Sequence, residues 1–287
     1  MKALACELPA ALGLPLSRFS RAELRRQVLA AGLVAAISGV TIWRWLHEDA
    51  LRPWSRRSWI FPRDPHFARK AGRVLDLYHR QWRGRPLGPD EFVLSADEKT
   101  QISIRTPRHP IRPPGPGRAM RIEHEYRRHG VCAYLAAWDV QRARLFGTVV
   151  RRISIAAFDG FVAAVMAQEP YHSARRVFRI VDGGTIHRGR RAAHRLEGRF
   201  PNLTLVPLPT HASWLNQIEI YFSILQRKAL TPADFGSEQA VAARILGFQD
   251  HYQQIATPFA WKFTRRDLRR LLHRSAPAAA PPLQQAA

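Results

Sequence analysis

THASWLNQIEIYFSILQR, running from Thr210 to Arg227, carries the spacing on which the fold turns. Leu215, Ile218, Phe222 and Leu225 recur at intervals of three and four, which places them on one face of a helix, and Ser213 stands where an N-cap is expected. Glu219 falls at the margin of that apolar face. A carboxylate without a partner is costly there, which leaves two readings: an ordinary ion pair with Arg227 or Lys228, or a functional acid compensated by a cation or metal.

Two segments farther upstream bear on that choice. FVLSADEKT (Phe92 to Thr100) and VFRIVDGG (Val177 to Gly184) each read as a short buried strand that ends in an acid, Asp97 and Asp182, the usual place for a ligand in an open sheet. Asp97, Asp182 and Glu219 would repel one another if brought together, and close approach is tolerated when hard divalent cations neutralise them. Mg²⁺ takes few protein carboxylates, keeps waters and suits phosphate oxygens, so the set fits two-metal phosphoryl transfer. The interval between Asp182 and Glu219 holds a helical pattern (Ile186 to Arg199), a strand (Leu203 to Val206) and a turn forced by Pro207-Leu208-Pro209. That order suits an RNase H-like α/β layout.

SADEKTQ (95 to 101), IVDGGTIH (180 to 187) and HASWLNQIEIYFSILQRKALTPADF (211 to 235) resemble the three catalytic blocks of bacterial insertion-sequence transposases of the mariner-like superfamily. The resemblance covers residues 20 to 260, and the long third block is its most distinctive part. It implies a DDE transposase that nicks transposon ends and joins the freed 3′-hydroxyl to target DNA, typically at a TA dinucleotide. Its triad falls on Asp97, Asp182 and Glu219, holding two Mg²⁺ or Mn²⁺ ions. The implied partners are double-stranded DNA, as transposon ends and target, and a second copy of the chain in a homodimer on DNA. Two departures stand out: Gly183 follows the second acid where the family usually has Asn, and the first of the family's N-terminal helix-turn-helix modules is not recognisable, as expected of a truncated or frameshifted copy. The alternatives are a transposase fragment that only binds DNA, and a nuclease of the same fold that never joins strands.

Composition agrees with a polyanionic partner. The 287 residues include 45 Lys and Arg against 22 Asp and Glu, a formal net charge of +23. Arg supplies most of the basic set and pairs with phosphate through a bidentate fork. A high-GC genome also favours Arg over Lys, but does not account for the net excess. Cys6 and Cys132 are the two cysteines, too few for a disulfide framework or zinc cluster, which suits a reducing cytoplasm, and the DNA partner that the resemblance implies adds nucleoid association. The 12 histidines lack metal-ligand spacing. His187, His211 and Asn216 are candidates to line the site, with ordinary hydrogen bonding open for both histidines. The apolar run Val28 to Val40 is shorter than the roughly 18 residues that cross a bilayer, and Glu7 interrupts the apolar bias of Met1 to Leu14, so no membrane association is expected.

The chain divides accordingly. Residues 1–50 are expected to form a small all-α helix-turn-helix module, with Ser20 capping Arg21 to Leu29 and Ser38 capping Gly39 to His47. A helical hairpin packed on the main domain is the alternative. Residues 51–84 read as a basic linker and a helix from Pro65 to Trp82, with linker aromatics that either stack on bases or pack. Residues 85–260 form the catalytic domain, a five-stranded mixed sheet flanked by helices, with strands at Val131 to Trp138 and Leu145 to Val150 and helices at Ser154 to Gln168 and from Glu238 to Thr257. Within it, Arg105 to Arg118 is a Pro- and Arg-rich loop that either clamps a DNA backbone or connects strands. Residues 261–274 are a basic segment, solvated or in contact with phosphate, and 275–287 a disordered tail. Candidate DNA contacts are Arg44, Arg56, Arg57, Arg105, Arg188, Arg190, Arg191 and Lys228.

Overall fold

The computed structural model describes residues 1–55, 62–182 and 195–275, and the chain splits into two compact units, Met1–Ile60 and Phe61–Ala287. Arg56, Arg57, Gly183, His187, Arg188, Arg190 and Arg191, most of the Ile186 to Arg199 helical pattern and nearly all of the expected tail lie outside the described residues.

In the first unit, α1 (Lys2–Cys6), α2 (Arg21–Ala30) and α3 (Gly39–Glu48) enclose a small apolar core that includes Phe19, Leu24, Val28, Ile42 and Leu46. Ser20 accepts from the Glu23 amide at 3.2 Å while Glu23 accepts from the Ser20 amide at 2.8 Å, a reciprocal capping box. Ser38 caps α3 through the Thr41 amide at 3.0 Å. Arg44 lies exposed on α3.

The second unit is built on one sheet. Its strands are β3 (Glu91–Pro107), β4 (Tyr126–Asp139), β5 (Leu145–Val150), β6 (Arg176–Val181) and β7 (Leu203–Pro207), in the order β5-β4-β3-β6-β7. β3, β4 and β5 pair antiparallel, while β6 and β7 run parallel to β3, so the sheet is mixed as expected. One face is covered by α5 (Ile155–Met166), whose Phe158, Val162 and Val165 meet Leu94, Leu135 and Val177. The other face is covered by α4 (Phe67–Tyr78), α6 (Ile218–Lys228), α7 (Glu238–Gln253) and α8 (Arg265–Ser275), with Val74, Leu225 and Ile245 packed over Tyr134, Trp138 and Phe178. From Cys132 on both faces of β4 are therefore buried, which explains its run of apolar residues up to Trp138, whereas Val131 at the head of the run is exposed. Tyr134 crosses β5 at Gly147, where any Cβ would collide with its ring.

Several expectations change. The helix expected from Pro65 to Trp82 ends at Tyr78, because Arg80 takes a positive φ of 54° and the chain reverses in a hairpin of β1 (Gln81–Trp82) and β2 (Arg85–Pro86). Arg83 and Gly84, at φ 52° and 78°, form the two-residue turn whose twist suits a hairpin. The Arg105 to Arg118 segment is not irregular throughout. β3 continues to Pro107, and Arg112 exchanges two 3.0 Å backbone bonds with Arg121. The prolines at 110, 113, 114 and 116 flank the paired residues rather than occupying them, so no needed N–H is lost. The helix after Glu238 stops at Gln253 instead of Thr257. Among the described residues no helix is long and apolar enough to cross a membrane.

Candidate active site

The parallel pairing of β3 with β6 runs from Glu91↔Arg176 to Ser95↔Ile180. Two residues farther on along each chain stand Asp97 and Asp182, which strand alternation puts on the same face as Ser95 and Ile180. Glu98, the next residue on β3, completes the tightest group: one oxygen each from Asp97, Glu98 and Asp182 lies within 4.8 Å of the others.

Glu219, the third acid expected from the sequence, is not part of this group; it stands on α6, near enough for its charge to act on Asp97. The helix begins at Ile218 rather than at Ser213, which lies in a 3₁₀ turn and caps nothing. Leu215, Ile218, Phe222 and Leu225 are buried as the spacing requires, whereas Glu219 sits in the first turn on the exposed side. Its cation is Lys99 of β3, not Arg227 or Lys228; the Arg227 guanidinium donates to Ser223 at 2.7 Å. Lys99 was not foreseen, although it stands two residues after Asp97 in the same strand.

A buried hydrogen-bond network fastens the start of α6 to β3 directly beside Asp97. Ser95 donates its hydroxyl proton to the side-chain Oδ1 of Asn216 and accepts from the Ile218 amide at 3.0 Å. The side-chain Nδ2 of Asn216 donates to the Ala96 carbonyl and to Asp97 Oδ2, each at 3.0 Å. Tyr78 of α4 donates to the Leu215 carbonyl at 2.6 Å and accepts from the Gln217 amide at 3.3 Å. Farther back, buried Asp64 accepts from Lys70 at 2.7 Å and from the Thr210 amide at 3.2 Å. Burial opposes its charge, but these donors and the His66 amide hold its carboxyl down at about 2.

The acids carry the opposite signature. Burial, then the Asp182 charge, pushes Asp97 up to about 8, with Glu98 and Glu219 adding to it and only the Glu98 amide pulling it down. Glu219 is raised by burial and by Asp182 against the pull of Lys99. Below Glu98, on the α5 side of the sheet, Arg179 is fully buried between Phe158 and Phe161 with its Nε unbonded; burial lowers it to about 10, and the Glu98 charge works against that. The donor set that the described residues bring together is carboxylate oxygen throughout, without imidazole or thiolate. Those features suit a hard divalent cation such as Mg²⁺ or Mn²⁺ and argue against zinc.

A model of the DDE superfamily endonucleases matches residues 93–241, just over half of the chain, from β3 into α7. The chain belongs to this family. No curated protein matches the sequence. Among solved structures, the Mos1 mariner paired end complex with Mn is similar at 16% identity and a TM-score of 0.51, covering 91% of this chain and 78% of that one. A pre-cleavage Mos1 transpososome has 14% identity, a TM-score of 0.49, and coverage of 91% and 78%. The isolated catalytic domain of Mos1 mariner transposase has 15% identity, a TM-score of 0.46, and coverage of 77% and 94%. At these identities the likeness is one of fold: a mixed five-stranded sheet flanked by helices, consistent with the RNase H-like arrangement of DDE enzymes.

The remaining candidates sit in different places on the DDE unit. Asn216 is buried under Asp97 rather than lining an open site. His211 is exposed, with φ 61°. Arg105 lies over the Tyr126 ring at 4.6 Å, and its carbonyl accepts from the Phe235 amide at 2.8 Å, so it braces the long β3–β4 hairpin. Lys228 is exposed at the far end of α6, about 13 Å along the helix axis from Glu219.

The Asn216 network has a measurable consequence. Asn216→Ala leaves the Ser95 hydroxyl, the Ala96 carbonyl and Asp97 each short of a partner in a buried setting, an expected loss of about 2–4 kcal/mol in urea unfolding. Ser95→Ala, which removes one member of the pair, is expected to cost about 1–2 kcal/mol. Equal stability of Asn216→Ala and the parent protein would show that the network does not fasten α6 to β3.

Proposed function

We propose that this chain is a DDE transposase that cuts DNA strands at the ends of a mobile element and joins them to a target. The observation that carries this reading is the meeting of Asp97 and Asp182 just past the end of the parallel β3–β6 pairing, Asp97 in the middle of the long β3 rather than at its end as the sequence suggests, with the charge of Glu219 on α6 acting on Asp97, inside the segment that matches the family. Asp97 and Asp182 would hold two divalent ions, with Glu219 as the third acid. When bound, the ions supply Lewis-acid stabilisation of the charge that develops at the transferring phosphoryl group and of the leaving oxygen. The protein's own contribution is positional. Asn216 fixes the orientation of the Asp97 carboxylate, the Ser95 bond sets the height of α6, and Lys99 offsets Glu219. In the first step a water oxygen attacks phosphorus, the P–O3′ bond breaks and the 3′-oxygen leaves as a hydroxyl, with a 5′-phosphate on the other side of the nick; in the second, that 3′-hydroxyl attacks a target phosphodiester, loses its proton and displaces the target's own 3′-oxygen, which leaves as a hydroxyl.

The formal charge of +23 supports double-stranded DNA as substrate. The first unit would act as a helix-turn-helix with α3, carrying exposed Arg44, in the major groove, and two copies would pair on DNA. Arg105 and Lys228, with Arg56, Arg57, Arg188, Arg190 and Arg191 outside the described residues, would supply backbone contacts, and His187 and His211 would border the site.

Labelled duplexes carrying the DNA that flanks the gene, incubated with the protein with and without Mg²⁺, test this reading. Joined product that requires the metal supports it. Nicks without joining indicate a nuclease, and a shifted band alone indicates a binding protein; either outcome overturns the transposase assignment.

A further inference from the structure

At the opposite end of the β3–β6 pair from the acids, the starts of the two strands and the β1–β2 hairpin enclose a cavity of about 530 Å³. Four arginines line it: Arg83 and Arg85 from the hairpin, Arg175 and Arg176 from the start of β6. Glu91 is the one acid among the lining residues, and it is already engaged, accepting from the Gly88 amide at 2.9 Å and standing 3.9 Å from Arg176. Arg83, Arg85 and Arg175 are exposed and have no acid within ion-pair distance among the described residues. The wall behind them is aromatic. Trp82 packs on Phe178 at 4.7 Å, Arg83 stands 5.7 Å from the Trp82 ring, and Arg176 lies 5.6 Å from the Phe178 ring.

Four guanidinium groups around one cavity repel one another, and a bound anion relieves the repulsion. The Arg83-Gly84 turn, with both residues at positive φ, sets Arg83 at the exposed tip of the hairpin, two residues from the exposed Arg85. Guanidinium forks match phosphate oxygens, and the cavity lies within the size range of sites for nucleotide-sized ligands rather than for a single small ion. Glu91 stands six residues before Asp97, about 20 Å along an extended strand. A strand held here is therefore about six base-pair steps from the phosphodiester at the acids. We propose that this cavity is a second DNA-backbone site, which grips a stretch of phosphodiester remote from the one being cut. The proposal rests on the reading of this chain as a DNA-acting enzyme, but binding at the cavity needs neither the acids nor a metal, so its failure and that of the catalytic reading are distinguishable.

The test is fluorescence anisotropy of the full chain with a labelled 20-base-pair duplex, in EDTA, over a series of salt concentrations. Arg83→Ala/Arg85→Ala/Arg175→Ala is expected to flatten the slope of log affinity against log salt by about 2 to 3, near 0.9 for each phosphate no longer neutralised, and to weaken binding at 0.1 M salt about tenfold or more. The same three positions changed to Lys keep the charge and should restore the slope. Arg151→Ala/Arg152→Ala/Arg199→Ala removes equal charge from exposed positions that do not line the cavity and should move the slope by less than about 1. A melting temperature equal to that of the parent confirms that the alanine variant is folded. An unchanged slope in the cavity variant, or an equal change in the control variant, overturns the proposal. So does loss of poly-glutamate binding with DNA binding intact, since that outcome makes the cavity an acidic-peptide site.

Discussion

Asp97→Asn, Asp182→Asn and Glu219→Gln are each expected to lower metal-dependent strand cleavage by about 10³-fold or more. DNA binding in EDTA should stay within about threefold of the parent protein, because it rests on cations at phosphates rather than on these acids. The three differ from the fourth acid at the site. Glu98 contributes an oxygen to the tightest carboxylate group, but its charge also acts on fully buried Arg179, whose Nε is unbonded and whose guanidinium is lowered to about 10 by burial. Taking that charge away removes a favourable interaction from a fully buried cation packed against Phe158 and Phe161, which should cost stability. Glu98→Gln should therefore be recognised first by its unfolding midpoint, and Glu219→Gln, on the exposed side of α6, by its lost activity at unchanged stability. A radiolabelled cleavage assay beside urea unfolding separates the two. If Glu219→Gln keeps full cleavage while Glu98→Gln abolishes it without loss of stability, the third acid is Glu98 and the assignment of Glu219 is wrong.

That distinction also marks where local reading of the sequence stops. The apolar run before Asp182 and the three- and four-residue spacing of Leu215, Ile218, Phe222 and Leu225 are local patterns, and both appear in the fold as expected, as a strand and as a buried helix face. The two aspartates were visible because each stands at a change from apolar to polar within a few residues. The partners that set their properties were not, because they come from remote parts of the chain. Ser95 meets Asn216 across 121 residues, and Tyr78 meets Leu215 across 137. Lys99 offered no local signal either: on a strand its side chain alternates with its neighbours, and only the placement of α6 turns it toward Glu219. Ser213 shows the reverse error. It has the right chemistry for an N-cap, but the Ser95 and Tyr78 bonds to residues 215–218 impose a 3₁₀ turn there and start α6 later. Similarly, the helical pattern up to Trp82 is broken by a positive φ at Arg80, whose guanidinium binds the Gly88 carbonyl at 2.6 Å across the hairpin. In each case a tertiary contact outweighs a local preference worth less than about 1 kcal/mol per residue.

The metal-free protein should lose stability as pH rises from about 4 to about 8, chiefly because of Asp97, with Glu219, which is also raised, adding in the same direction. Its carboxyl is pushed up to about 8 in the fold, first by burial and then by Asp182, whereas in the unfolded chain it titrates near 3.9. The folded state thus binds this proton more tightly than the unfolded state does. Within that interval the unfolded chain has already released the proton, so each step up in pH favours unfolding, and the trend flattens above about 8, where both states are ionised. At about 1.4 kcal/mol per pKa unit the whole effect is a few kcal/mol. Asp64 works in the other direction but elsewhere: held at about 2, it contributes stability above about 4 that is lost as pH falls toward 2, so it is silent between pH 5 and 8. Urea unfolding in EDTA at several pH values, for the parent protein and for Asp97→Asn, isolates the Asp97 contribution because every other titrating group is common to both. The difference should widen steadily toward pH 8, with Asp97→Asn the more stable protein there. Two curves that stay parallel from pH 5 to 8 would falsify the claim that burial and the Asp182 charge strain this carboxylate. The same linkage requires a divalent ion to displace the Asp97 proton when it binds. Its affinity should therefore tighten about tenfold per pH unit below pH 7 and level off near pH 8 in the parent protein, and lose that dependence in Asp97→Asn.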